Sequence, residues 1–99
     1  MRIYISGGIS NISDYKERFK KAEEFLTSKG YTPINPTVLD AFPLNYEEYM
    51  DLDLALIDIC GAMYMLKDWE KSCGANREYG YALAKGLIIL KEESWQEKN

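Results

Sequence analysis

The sequence contains no histidine. A histidine-based triad, a histidine-held metal and imidazole general-base chemistry are therefore excluded. Acid–base or nucleophilic work falls to carboxylates, hydroxyls, lysines or thiols. Thiols are scarce as well: the two cysteines, Cys60 and Cys73, have neither metal-ligand spacing nor a CxxC arrangement. The expectation is a reduced protein that holds no metal and needs no cofactor. Long apolar runs are also missing. No stretch approaches the roughly 18–20 apolar residues of a membrane span, and MRIYISGGIS lacks an apolar core of signal-peptide length. Positive charge is in deficit, with 12 Lys and Arg against 16 Asp and Glu and a net charge of −4. No basic excess exists to neutralise phosphates in bulk, so neither a nucleic-acid polymer nor a membrane is the expected partner. Small phosphorylated ligands stay open, because helix N-termini bind them without basic side chains. These absences together predict a cytoplasmic protein.

What is present is ordinary for a soluble globular chain, with 46% hydrophobic and 28% charged residues. Ninety-nine residues allow a single domain, 1–99, around one core. So short a chain buries a modest share of its surface, which favours a homodimer or a higher homo-oligomer.

The pattern alternates. Arg2–Ser6 (RIYIS) reads as a strand that stops at Gly7-Gly8. Asp14 and Glu17 resemble a capping box for a helix whose stripe is Tyr15, Phe19, Ala22 and Leu26, ending at Gly30. Tyr31–Asn35 reads as a second strand and 36–44 as a loop. Asn45 with Glu48 opens a second helix with the stripe Tyr49, Leu52, Leu56, Ile59. Ala62–Leu66 is a third strand, 67–73 a loop, Gly74–Lys85 a third helix closed by Gly86, Leu87–Leu90 a fourth strand, and 91–99 a polar tail. Strands alternating with helices predict a small doubly wound, Rossmann- or flavodoxin-like α/β domain of three layers, with a mainly parallel sheet of four to five strands. In such a sheet ligands bind outside the carboxyl ends of the strands.

Several residues stand out against this frame. Glu78 shares a helix face with Ala75 and Ala82, which is small and apolar. It is a charge tilted to solvent or paired with Arg77 or Lys85, or else a carboxylate set in a cleft. Asp53 borders the buried stripe of the second helix, whereas Asp51 and Asp58 fall off it. Two inward carboxylates on different helices are the minimal equipment for glycosidic-bond chemistry; two edge charges are the plain alternative. Tyr4 fits core packing or a place beside such a site. Ser6-Gly7-Gly8 allows close approach of a ligand or merely makes a turn. Trp69 can stack a planar base or pack on Tyr64 or Met65. Ser72, before Gly74, can cap the third helix or meet a phosphate.

Three stretches, IYISGG, DLDLALIDIC and DWEKSCGANREYGYALAKG, make nearly the whole chain resemble the nucleoside 2-deoxyribosyltransferase-like superfamily, and most of all its short, phage- or prophage-type members. The resemblance implies that Glu78 is the nucleophile attacking the anomeric carbon and that Tyr4 lies beside it. It implies that Asp53, with Asp51 as the alternative in the DLD run, positions the sugar or protonates the base. Transferases of the superfamily carry aspartate six residues before the glutamate. Ser72 stands there in this chain, as in the 2'-deoxynucleoside 5'-monophosphate N-hydrolases, where the serine contacts phosphate. The implied activity is that of an N-glycosidase or deoxyribosyltransferase acting on a small nucleoside or nucleotide. Trp69 would cover the base, and Ser6, Gly7, Gly8, Ser72 and Gly74 would hold the sugar-phosphate end. The rival expectation is a binding protein that sequesters a nucleotide in the same pocket.

Overall fold

The structure is a computed structural model that describes residues 1–9 and 12–96. Its elements run β1 (Arg2–Ser6), α1 (Tyr15–Ser28), β2 (Thr32–Ile34), a 3-10 helix (Pro36–Ala41), α2 (Tyr46–Asp58), β3 (Ala62–Met65), a 3-10 turn (Trp69–Lys71), α3 (Cys73–Lys85), β4 (Ile88–Lys91) and α4 (Glu92–Gln96). The sheet is four-stranded in the order β2-β1-β3-β4, and every neighbouring pair is parallel.

That order explains the layers. The chain steps one way from β1 to β2 and then back across to β3 and β4. Right-handed crossovers in opposite directions place their helices on opposite faces. Ile3, Ile5, Ala62 and Tyr64 accordingly pack with Phe19, Ala22 and Leu26 of α1, while Tyr4, Met63 and Met65 pack with Ile57 of α2 and Ala82 of α3. The alternation along β1 and β3 is the two-residue period of a strand buried on both sides. The fold is the doubly wound, flavodoxin-like α/β arrangement expected from the pattern.

The helix ends follow local chemistry, with one exception. Asn45 has extended backbone (φ −82°, ψ 173°) and forms a reciprocal capping box with Glu48, each bond 2.9 Å. Ser72 accepts from the Ala75 amide at 3.1 Å and starts α3. Gly86 ends α3 in the left-handed region at φ 79°, which a glycine adopts without strain. Asp14 precedes α1 but makes no cap bond. Its φ of −107° and ψ of 22° depart from the extended backbone that aims a capping side chain at the helix.

The tail departs further from expectation. Lys91 still belongs to β4, and Glu92–Gln96 form a helix rather than a polar tail. Trp95 drives this: its ring stands edge-on to Phe25 at 5.3 Å and to Tyr64 at 5.8 Å, extending the apolar cover on the α1 side. The remaining tail, 97–99, lies outside the described residues.

Candidate active site

β1 is where the winding reverses, so the crevice beyond the carboxyl ends of β1 and β3 is the topological switch point. A cleft of about 490 Å³ opens there, within the size range of small-molecule sites. Glu78, Asp53, Ser72, Gly74 and Gly7 line it.

Glu78 lies on the α3 face formed by Ala75, Glu78 and Ala82, all three buried. Because β1 alternates, Tyr4 and Ser6 both point toward α3, and both donate to Glu78. The Tyr4 hydroxyl reaches Oε2 at 2.8 Å and the Ser6 hydroxyl reaches Oε1 at 2.7 Å. The carboxylate is therefore clamped at both oxygens by groups that are themselves fully buried. It is neither solvent-tilted nor ion-paired: Arg77 pairs with Glu47 and Lys85 with Asp58. Asp53 of α2 is also buried and sits across from Glu78, with its Oδ1 lacking any hydrogen-bond donor. Among the described residues neither carboxylate has a cationic partner.

The electrostatic consequence is direct. Burial pushes Glu78 well above the ordinary carboxyl range, and the adjoining Asp53 carboxyl adds to the rise; the Ser6 and Tyr4 hydroxyls pull the other way. Burial raises Asp53 too, with the neighbouring Glu78 carboxyl and Tyr4 hydroxyl opposing and the charge of Asp40 adding to the rise. Tyr4 is raised well above its usual value by burial and by the charges of Glu78 and Asp53, so it stays a proton donor. The two carboxyls act as a unit that keeps a proton at a pH where isolated carboxylates have lost theirs.

Of the other residues singled out in the sequence, the structure brings some to the cleft and leaves others away. Ser72 and Gly74 line it at the start of α3, and Gly7 lines it after β1. A Cβ on Gly7 would sit 2.8 Å from the Leu66 side chain, so glycine here serves close packing of the turn. Gly8 is buried behind it, 3.5 Å from Ser72 when a Cβ is built. Ser6, read as a ligand contact, is instead turned inward to Glu78 because it shares the parity of Tyr4. Asp51 is exposed and outside the cleft. Trp69 is not a cover for this cleft. Its ring packs on Tyr79 at 4.7 Å and under the Lys91 ammonium, lining a separate hollow beside β4.

The sequence reading missed one group. Asp40, on the 3-10 helix after β2, lines the same cleft, with Tyr15 of α1 donating to its Oδ2 at 2.7 Å and Tyr49 of α2 donating to its Oδ1. Both tyrosines had been read as apolar stripe, and nothing in helical periodicity marks their hydroxyls. Among the described residues no three His, Cys, Asp or Glu side chains converge in a way that could hold a metal ion.

The fold is similar to that of several solved enzymes. A 2-desoxiribosyltransferase from Leishmania mexicana superimposes with a TM-score of 0.72 at 23% identity, over 91% of this chain and 62% of that one. A 2-deoxyribosyltransferase from Bacillus psychrosaccharolyticus gives 0.73 at 21% identity, over 92% and 71%. A CMP N-glycosidase, BcmB, from Clostridium botulinum gives 0.67 at 24% identity, over 92% and 67%. The likeness to these three enzymes is one of fold, and the chain spans under two thirds of the Leishmania enzyme. No curated protein matches the sequence. Residues 1–91 match the model of the family described as Domain of unknown function (DUF4406), and the chain belongs to that family.

Proposed function

We infer that the protein cleaves the N-glycosidic bond of a nucleoside or nucleotide by double displacement, with Glu78 as the nucleophile. The observation that supports this most is the clamp on Glu78: two buried hydroxyls orient a carboxylate that no cation among the described residues neutralises, in a ligand-sized cleft. Such an arrangement costs stability and is what nucleophilic catalysis needs.

The shared proton suits the chemistry. With the proton on Asp53, Glu78 is the anion that attacks C1' and Asp53 is the acid that protonates the departing base. The glycosidic C–N bond breaks as the ester to Glu78 forms, and the base leaves carrying the proton. Water, or an acceptor base, then attacks C1', gives its proton to the Asp53 carboxylate, and releases Glu78 as carboxylate. Tyr4 and Ser6 hold the nucleophile in line throughout. Ser72 and the free amides at the start of α3 suit a 5'-phosphate, and a second copy of the chain would enclose the open side of the cleft. If the proton stayed on Glu78 instead, the cleft would bind and not turn over, which is the sequestration reading; burial of Glu78 favours that rival.

The test incubates the protein with a panel of nucleosides and 5'-monophosphates and separates the products by liquid chromatography and mass spectrometry. Free base, or base exchanged when a second base is supplied, is the expected result. Ligand recovered unchanged after tight binding would replace cleavage with sequestration.

A further inference from the structure

We propose that Asp40 reads the base: it selects a nucleobase presenting two adjacent N–H donors, the guanine class, over bases that place a carbonyl or a bare ring nitrogen there. The inference rests on the cleft being a nucleotide site, and goes beyond it by assigning the specificity group.

Ser72 reaches the cleft from the segment after β3 and Asp40 from the segment after β2. The order β2-β1-β3 puts these segments on opposite sides of β1, leaving strands that stand about 9–10 Å apart. Glu78 and Asp53 lie on the cleft wall with them. A nucleotide with its phosphate at Ser72 and its C1' at Glu78 directs its base toward Asp40.

The lone pairs then set the preference. Each carboxylate oxygen of Asp40 already accepts one tyrosine hydroxyl, Tyr15 on Oδ2 and Tyr49 on Oδ1. Those two donors come from α1 and α2, helices on opposite faces of the sheet, so the plane of the carboxylate is fixed. Lys16 stands 4.0 Å from Oδ2, too far for a hydrogen bond, and its side chain is 69% exposed against 17% for Asp40. One lone pair per oxygen is left. Two parallel acceptors match the N1–H and N2–H of guanine. Adenine and cytosine offer one donor beside an unprotonated nitrogen, and thymine and uracil flank their single N–H with carbonyls. A site built to hydrogen-bond a donor rejects a base lacking it strongly, because its own acceptor is left facing a lone pair.

The experiment measures binding of the 2'-deoxynucleoside 5'-monophosphates of guanine, adenine, cytosine and thymine by calorimetry, for the wild-type protein and Asp40→Asn, with melting temperatures alongside. The wild type is expected to prefer the guanine nucleotide roughly ten- to a hundred-fold. In Asp40→Asn, which replaces one acceptor by a donor, that preference is expected to shrink to within a few-fold, with cytosine and adenine gaining. Equal binding of all four by the wild type overturns the assignment. So does a variant that weakens all four alike, since a mere clip between α1 and α2 would do that. Base release with no guanine preference overturns Asp40 and leaves glycosidic cleavage standing. A guanine preference without base release keeps Asp40 and removes the cleavage reading. Absence of any nucleotide binding overturns both.

Discussion

Two of the contacts between helices α2 and α3 are built on opposite principles. At the outer contact Asp58 accepts from the Tyr81 hydroxyl at 2.6 Å and pairs with Lys85 at 3.4 Å, all in reach of solvent. The Tyr81 bond, followed by Lys85, holds Asp58 below the ordinary carboxyl range. At the inner contact Asp53 faces Glu78, both buried, both raised, with no cation among the described residues pairing with either. The outer contact is what stability alone would build. Apolar residues at the inner one would make the fold more stable, so the difference separates a structural clip from a site held at a cost.

The comparison breaks most sharply at Glu78. Glu78→Gln keeps the shape and the hydroxyl partners but forfeits the anion, so turnover should fall about a thousandfold or more, with nucleotide binding retained. Asp58→Asn, in the outer contact, should leave turnover within about twofold. Steady-state base release on both variants makes the contrast, and comparable losses would erase it.

Asp53→Asn should cost less, roughly a hundred- to ten-thousandfold, as for a lost general acid. Its signature lies in the pH profile. Wild-type turnover needs the proton on the pair and should fall as alkaline pH removes it; that limb should vanish in Asp53→Asn.

Stability should show the same proton. The pKa of Glu78 in the folded protein is raised above its ordinary 4.5. Its contribution to stability is thus fully present below about pH 4.5 and is lost as pH rises through the folded value. The wild-type melting temperature, relative to that of Glu78→Gln, should therefore decline from pH 5 toward neutrality. Asp58, with a lowered value, works in the opposite sense, losing its contribution as pH falls below its ordinary 3.8. A difference that rises with pH would reverse the electrostatic reading of the inner contact.

Smaller still is the effect at Ser72. Ser72→Ala removes the cap on α3 and should cost about 1 kcal/mol in denaturant unfolding. If the hydroxyl also meets a phosphate, the variant should lose roughly ten-fold of its preference for a 5'-monophosphate over the matching nucleoside, and Ser72→Asp should reverse that preference. Loss of stability with unchanged ranking would leave Ser72 as a cap alone.

Much of this was legible in the sequence, and the illegible parts share a cause. Strands followed from apolar runs bounded by Gly7, Gly30 and Gly86, and α2 from the Asn45–Glu48 pair, because these signals are local. The odd position of Glu78 among alanines was local as well. Asp40 was not, since its partners stand 25 and 9 residues away on two separate helices. Trp95 lies in the stretch read as a polar tail, since its partners Phe25 and Tyr64 are distant in sequence. Trp69 was assigned by its chemistry rather than its direction, and Tyr79 claims it. Ser6 was grouped with the glycines that follow it, although strand parity alone pairs it with Tyr4.

The proposed nucleophile can be tested by trapping its adduct. Wild-type protein mixed with a cleavable nucleoside or 5'-monophosphate, quenched in acid within the first turnovers and digested, should yield the peptide bearing Glu78 with the added mass of the sugar or sugar phosphate. Glu78→Gln should yield none. Base release at full rate with no adduct on that peptide, or with the adduct on another residue, would contradict Glu78 as the nucleophile.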